Sequence, residues 1–373
     1  MSKALVIGGG IGGLSAAIGL KQAGIDVDVV EISPGREVYH VGIIVQANFM
    51  RALDKLGVAD QAIARGFPYA GFDLCNKDGG LDAYIPGVAL SRDGHPTDLG
   101  LTRPALHDVL SDGCAAQGVS PRFGVTFEKL EQSDDKVTVT FTDGKVADYD
   151  FVIGADGLFS KVRSELFGDK YTPTFTGQAV WRYNLPRPAD VIRTAMYQGV
   201  SGGKAGYCPL TDETMYLLLV MAEPGKPWLA KEDLPRLFKE RLAPFGGRIG
   251  QIRDTTEFDA DQIVYRPLEA VFVSEPWYRG RILLIGDAAH GTTPHLGQGA
   301  AQAVEDAATL GAIAEENLPV AEMFERFMAK RYARCKFIWE SSIQIGTWEM
   351  TNDPDADVEA LSHKVLETVS APL

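Results

Sequence analysis

Three glycines set between a strand and a helix leave this chain few folds to choose from. Residues 4–7 (ALVI) are a short apolar run with β character, and Gly8, Gly10 and Gly13 follow it with GxGxxG spacing inside VIGGGIGG. Leu14 to Ala23 alternates small and apolar residues at helical spacing and stops at Gly24, a residue suited to ending a helix. VDVVE, residues 27–31, reads as the second strand. The whole is a strand–helix–strand crossover, which is right-handed in nearly every known case. The first glycine allows a tight turn, the second lets a pyrophosphate approach the backbone, and the third lets helix and strand pack closely. Glu31 closes the second strand, where a carboxylate accepts from ribose hydroxyls and disfavours a 2′-phosphate. The fingerprint points to an adenine dinucleotide, FAD or NAD rather than NADP, and does not by itself separate the two.

A second constraint stands near the other end. RILLIGDAAHGTTPHLGQGAAQAVEDA, residues 281–307, reads as a buried strand, a carboxylate on a tight turn (Asp287), a proline-glycine loop and an Ala-rich helix. That order puts one acid and one helix N-terminus at a sheet edge, a place suited to the polar half of a cofactor. Between the two, VTVTF (137–141), Asp143-Gly144 and VADYDFVIG (146–154) read as a hairpin running into a buried strand. Residues 47–65 and 103–117 are helical, with Pro104 at an early helical position. From 172 to 274 the pattern changes to aromatic, Pro-containing short strands, interrupted by one amphipathic helix, LPRLFKERLA. Long helices follow, including one over about 321–348.

The expected fold is α/β: a discontinuous Rossmann-like nucleotide domain (1–70, 98–171 and 275–373), an inserted, mostly antiparallel sheet domain (71–97 and 172–274), and long C-terminal helices. The formal net charge is −14, which argues against nucleic-acid and anionic-membrane binding while leaving room for a local cationic pocket. No apolar run approaches the length of a membrane span, and the reading is a soluble, cytoplasmic protein. The four cysteines and six histidines show no metal-ligand spacing, so no metal is expected.

VIGADGLFSKVR (152–163) and GDAAHGTTPHLGQGAAQAVEDA (286–307) closely resemble the two internal signatures of the class A flavoprotein aromatic hydroxylases. With the opening fingerprint, all three signatures occur in the family's order, from Met1 to about Ala308. The resemblance implies FAD as cofactor, NADH or NADPH as reductant and O2 as co-substrate. It also implies a small hydroxylated aromatic or N-heteroaromatic substrate, oxygenated through a flavin C4a-hydroperoxide. Monomer and homodimer both occur in the family. An epoxidase or another flavin oxidoreductase is the alternative; the halogenase segment WxWxIP is absent.

Residue by residue, the resemblance implies that Gly8, Gly10, Gly13 and Glu31 hold the adenine half, with Val125 lining the adenine pocket. Asp287 bonds the ribityl chain, Gly42 and Ile43 lie at the ring edge, and Gly297, Gln298, Gly299 and Ala300 present N–H groups to the pyrimidine edge. Asp156 and Arg163 belong to the middle signature, near the pyrophosphate and the nicotinamide approach; Arg103 reaches the phosphate-ribose region, and Arg36 helps there. The alternative for either of these last two is a solvated surface charge. Pro294 packs where oxygen reacts, and His295 after it points to the substrate side, as a proton acceptor or as a loop-bonded histidine. Tyr216 faces the substrate, and Lys204 stands where urate-type members have Arg, which loses bidentate recognition. Arg182, Tyr183, Tyr197 and Tyr207 (with Trp181) are candidates for the sheet face over the flavin, against ordinary sheet packing. His290 reads as structural.

Overall fold

The computed structural model describes residues 2–36, 39–351 and 353–373. Its central layer is a six-stranded sheet in the order Tyr278–Arg279, Ile282–Leu284, Phe151–Gly154, Lys3–Ile7, Asp26–Glu31, Arg122–Phe123. All neighbours run parallel except the first pair. Strands from the start, middle and last third of the chain are thus side by side, with Ala4 opposite both Phe151 and Val27, and Val152 opposite Ile282. Both faces are covered, so the central strands are continuous apolar runs; Ala4, Leu5, Val6, Val152 and Ile153 are fully buried.

One face carries two helices, Ile11–Gln22 and Gly299–Ala314. They meet at glycine: a Cβ on Gly311 would lie 2.9 Å from the Gly19 backbone, and one on Gly19 would lie 2.8 Å from the Ala307 carbonyl oxygen. The first helix begins at Ile11 rather than Leu14, taking in Gly12 and Gly13. A Cβ on Gly13 would stand 1.9 Å from the Gly8 oxygen, so only glycine lets the helix start that close to the strand.

A seven-stranded sheet lies beside this layer, in the order Val264–Ala270, Thr174–Pro186, Thr214–Ala222, Gly203–Pro209, Thr194–Val200, Phe72–Asn76, Leu81–Ile85. It is antiparallel except where Thr194–Val200 meets Phe72–Asn76. Side chains alternate across it. Trp181, Tyr183, Leu217 and Leu219 enter an outer core closed by Phe238, Leu242, Phe245 and Ile249. Those residues come from Leu234–Leu242, Gly247–Thr255 and the link between them. The second of these helices corrects the expectation of a single one. Gly247 and Gly250 weaken its helical signal, and burial of Ile249 and Ile252 supports it instead.

A small antiparallel sheet (Gly42–Val45, Asp98–Thr102, Phe67–Tyr69) sits against the inner face of the large one. There a Cβ on Gly42 would lie 2.3 Å from the Tyr216 ring, and one on Gly100 would lie 1.6 Å from the Pro209 oxygen. The long helix Val320–Thr351 and a final helix, Val358–Ser370, close the fold. The four cysteines are free and buried. Among the described residues no helix is long and apolar enough to cross a membrane.

Candidate active site

The Gly8 turn is built for close backbone approach. Gly8 has φ +113°, and a Cβ on it would fall 2.4 Å from the Ala155 oxygen, whereas a Cβ on Gly10 would meet nothing within 4 Å. The space in front of Gly10 is open, as a bound phosphate requires. Both oxygens of Glu31 are fixed by backbone donors, Gly9 N at 2.7 Å and Ser33 N at 2.8 Å. Val125 lies alongside, its N–H donating to the Glu31 carbonyl at 3.0 Å. The helices starting at Ile11 and Gly299 have neither a side-chain cap nor an acid in the first turn. Thr102 and Ser160 do cap the helices that follow them. Uncapped helix starts leave free N–H groups and positive potential for an anion.

Asp287 stands on the turn after Ile282–Leu284 and opens the short helix Asp287–His290, with part of its side chain accessible. Burial raises its pKa, opposed by His290 and Arg103 nearby. Among the described residues Arg103 leaves its Nε buried without a partner. Its guanidinium pKa is lowered by burial and supported by Tyr216 and Asp287. Gly297, in the left-handed region at φ +66°, turns the chain into the Ala-rich helix. Beyond it the buried Gln298 side chain holds Asn48 and Gln302 and reaches Gln46, which donates to the Leu296 oxygen at 3.1 Å. Gln46 and Asn48, placed by the Gly42–Val45 strand, escaped the sequence reading. Their spacing after Gly42-Ile43 was the only signal available.

Other expected cofactor residues are committed elsewhere. Arg36 pairs with Asp108 at 3.2 Å on the surface. Arg163 is 2% exposed and donates to three carbonyls, those of Leu158, Tyr171 and Ala288. Asp156 accepts from Ser160 Oγ, Lys161 N and Val162 N, closing the start of the next helix. These two brace the middle signature from within.

The inner face of the large sheet gathers Arg182, Asn184, Lys204, Tyr216 and Leu218, since Arg182 pairs with Leu218 and Asn184 with Tyr216. Tyr183, Tyr197 and Tyr207 lie on the other face, in or against the outer core. The expectation that they share the face of Arg182 is corrected by the two-residue period of the strand. Tyr183, for example, accepts from Asp259 N at 3.2 Å and packs edge-on against Phe258.

His295 is likewise turned away from the cleft. Its Nδ1 meets Thr293 Oγ1 at 2.8 Å, and its Nε2 meets Gln178 Oε1 at 2.9 Å and Glu349 Oε2 at 3.3 Å. Its ring nests on Gly346, where a Cβ would stand 2.8 Å away. Burial, then Lys204, lowers the imidazole pKa. A proton on Nε2 is the one that can be donated to the Gln178 and Glu349 oxygens. Lys204 pairs with Glu349 at 2.8 Å and reaches the His295 oxygen at 3.4 Å. Burial alone would raise the Glu349 carboxyl, but Lys204 and His295 outweigh it and bring it down to about 2.

Behind the Asp287 turn lies a closed network. Asp306 accepts from Gly286 N (2.9 Å), His290 Nε2 (2.7 Å) and Arg331 Nε (2.7 Å), while Glu305 binds Arg331, Arg334 and Asn48. His290, Asp306 and Cys335 bring ligand-type atoms within 4.8 Å of one another, but Asp306 is already saturated by hydrogen-bond donors, Arg331 among them.

An open approach at Gly10, two uncapped helix starts, and Arg103 near Asp287 with neither side chain hydrogen-bonded among the described residues fit FAD in donor type. Residues 1–319 match the family model described as "FAD binding domain". The chain is 32% identical over 355 residues to 2-heptyl-3-hydroxy-4(1H)-quinolone synthase of Pseudomonas aeruginosa, covering 92% of this chain and 90% of that one. It is 30% identical over 360 residues to the FAD-dependent urate hydroxylase of Klebsiella oxytoca, covering 90% and 87%. The crystal structure of Klebsiella pneumoniae HpxO with FAD and uric acid superposes with a TM-score of 0.83 at 25% identity, covering 99% and 93%. The chain belongs to the FAD-binding-domain family of FAD-dependent monooxygenases.

Proposed function

We propose that this enzyme inserts one oxygen atom of O2 into a small hydroxylated aromatic or N-heteroaromatic ring, with NADH or NADPH as reductant. The observation that carries the reading is a convergence: the Arg103 guanidinium feels both Asp287, on the turn before the Ala-rich helix, and Tyr216, on the inner face of the large sheet. In this reading that sheet face forms the roof over the cofactor. Bound FAD supplies the redox and oxygen chemistry.

The chain's own residues supply placement and electrostatics. Gly8, Gly10, Gly13 and Glu31 hold the adenine half beside Val125. Asp287 and Arg103 hold the polar linker, and Gly42, Ile43 and the 297–300 backbone frame the ring. N–H groups at the start of the Ala-rich helix favour negative charge on the pyrimidine edge. Pro294 closes the ring's far side. Tyr216, 5% exposed, has a pKa pushed up by burial; it remains a phenol at neutral pH and serves as a hydrogen-bond donor to a ring oxygen. His295 holds the loop rather than taking a substrate proton, because both its nitrogens are spent on Thr293, Gln178 and Glu349. The sheet roof keeps water from the reacting centre. In this reading 71–97 and 172–274 form the substrate domain, and the remainder forms the FAD domain. We place the enzyme in the cytoplasm, where both nicotinamides are supplied, as a monomer or homodimer.

The relatives named for urate and a quinolone support a heteroaromatic substrate. The test is NAD(P)H oxidation and O2 uptake by the yellow holoenzyme across phenols, hydroxypyridines and hydroxyquinolines. Stimulated consumption with a product 16 mass units heavier supports the reading. Unchanged consumption across the panel overturns it, and oxygen transfer to an olefin alone favours an epoxidase.

A further inference from the structure

One turn beyond Arg103, on the same face of the helix Arg103–Ala116, stands His107. It is 6% exposed, and its Nε2 meets the Gly9 carbonyl oxygen at 2.9 Å. A carbonyl only accepts, so a proton is on Nε2. In the neutral ring this leaves Nδ1 to accept from Ser111 Oγ at 3.3 Å. The contact matters for what lies across one peptide. Gly9 and Gly10 are joined by a trans bond, in which the carbonyl and the N–H point opposite ways. Holding the Gly9 oxygen against the helix therefore turns the Gly10 N–H away from it. The other donors of the turn are already committed: Gly8 N–H to the Val30 oxygen at 2.8 Å, and Gly9 N–H to Glu31 Oε2 at 2.7 Å. Gly10 N–H makes no hydrogen bond among the described residues, and a Cβ on Gly10 would meet nothing within 4 Å.

We propose that His107 is a positioning residue of the phosphate turn: it aims the Gly10 N–H at the FAD pyrophosphate, and Ser111 fixes the tautomer that does so. The inference rests on the reading that this turn takes the pyrophosphate. Burial keeps water from competing for the Gly9 oxygen, so the bond from the ring sets the plane of that peptide. One helix thereby serves the polar linker twice, with Arg103 near Asp287 and His107 bracing the turn. The glycine fingerprint does not announce this residue, which stands 98 positions from Gly9. A histidine that merely filled the core would be replaceable by an apolar side chain, whereas a positioning histidine is replaceable only by another donor.

The test reads FAD affinity by fluorescence titration of the full-length apo-protein, and the pyrophosphate by phosphorus NMR of the reloaded holoenzyme. His107→Leu removes the donor and is expected to weaken FAD about tenfold and to shift the pyrophosphate resonances. His107→Gln, whose amide N–H can take the place of the ring's, is expected to bind within about threefold of wild type, with the resonances unmoved. Ser111→Ala is expected to cost about threefold alone and nothing more when added to H107L, because Ser111 acts only through the ring. The proposal is overturned if H107L binds FAD as wild type does, if H107Q is as weak as H107L, or if the losses of H107L and S111A add. Should H107L not fold, the other two variants suffice: a loss of about tenfold in H107Q, or none in S111A, overturns it. Gly10→Val tests the underlying reading separately. Gly10 has φ −80°, which valine adopts, and the added side chain would occupy the open space beside the turn. If FAD affinity ignores that change, the turn does not hold the pyrophosphate and the reading fails. If G10V abolishes binding while H107L does not weaken it, only the role of His107 fails.

Discussion

Two groups of charged side chains flank the Gly286–Asp287 turn, and they are completed to different degrees. Behind it, Asp306, His290, Arg331, Glu305 and Arg334 satisfy one another with the Gly286 N–H, all with side chains below 10% exposure. In front of it, Arg103, Asp287, Arg182 and Tyr216 influence one another electrostatically, yet none of their side chains makes a hydrogen bond among the described residues. Burial opposes charge on His290, but Cys335 and Asp306 outweigh it and raise its pKa well above the usual imidazole value. The rear group spends its charges on holding the turn. The front group keeps its charges available for what the cleft binds. Saturation, not burial or residue type, separates framework from site.

The contrast can be broken most forcefully from behind. Arg331→Met removes the cation that Asp306 and Glu305 share, leaving Asp306 only His290 and Glu305 only Arg334 and Arg51, and we expect a loss of about 3–5 kcal/mol in stability, read from urea melts of the apo-protein. A loss under about 1 kcal/mol would erase the distinction. In front the expectation inverts. Arg103→Gln should weaken FAD binding about tenfold to a hundredfold, measured by fluorescence titration, and leave the apo-protein as stable as wild type or more so, because it removes a buried guanidinium that makes no hydrogen bond among the described residues.

The Lys204–Glu349 pair belongs with the framework by the same criterion, and pH tests it. The Glu349 carboxyl is held down to about 2 in the fold, against roughly 4.3 for a free glutamate. A depressed carboxyl stabilises fully above the unfolded value and ceases to do so as pH falls through the folded one. The stability gap between wild type and Glu349→Gln should be widest near neutrality and close between about pH 4.3 and 2. A gap that does not vary with pH removes the pair from the framework. The smallest effect is expected from Tyr183→Phe, on the outer face. It forfeits one hydrogen bond from Asp259 N, worth about 1 kcal/mol, and turnover should change less than about twofold. Tyr216→Phe should instead lower kcat/KM by about tenfold or more, the worth of a charge-assisted hydrogen bond; equal effects at the two tyrosines would contradict the assignment of faces.

The nucleotide half was legible because its signals are local. A strand, three glycines, a helix and Glu31 lie within one crossover, and the glycines answer to contacts a few residues away or one strand over. The expected strands at 27–31 and 137–141 appear to within a residue or two, and the buried strand expected at the start of 281–307 appears as Ile282–Leu284. Functional commitment was not legible in the same way. Arg103 and Arg163 look alike in sequence, yet among the described residues one leaves its buried Nε without a partner and the other donates to three carbonyls, because only the folded chain decides which oxygens are near. Glu349 is more than fifty residues from His295 in sequence, and nothing in the long helix marks the residue that meets it. The error over Tyr183 was avoidable. Adjacent residues of one strand cannot share a face, so naming Arg182 and Tyr183 together already required that one of them be wrong.

The glycine crossing of the first and the Ala-rich helices has a consequence for biosynthesis. The glycines of the fingerprint, Gly8 to Gly13, leave the ribosome well before the surface that covers their helix, Ala307 and Gly311. Until then the amino-terminal crossover has an uncovered flank and half a cradle. The nucleotide pocket is thus completed late in translation, and a nascent chain released before that point carries the motif without the capacity to hold the ligand.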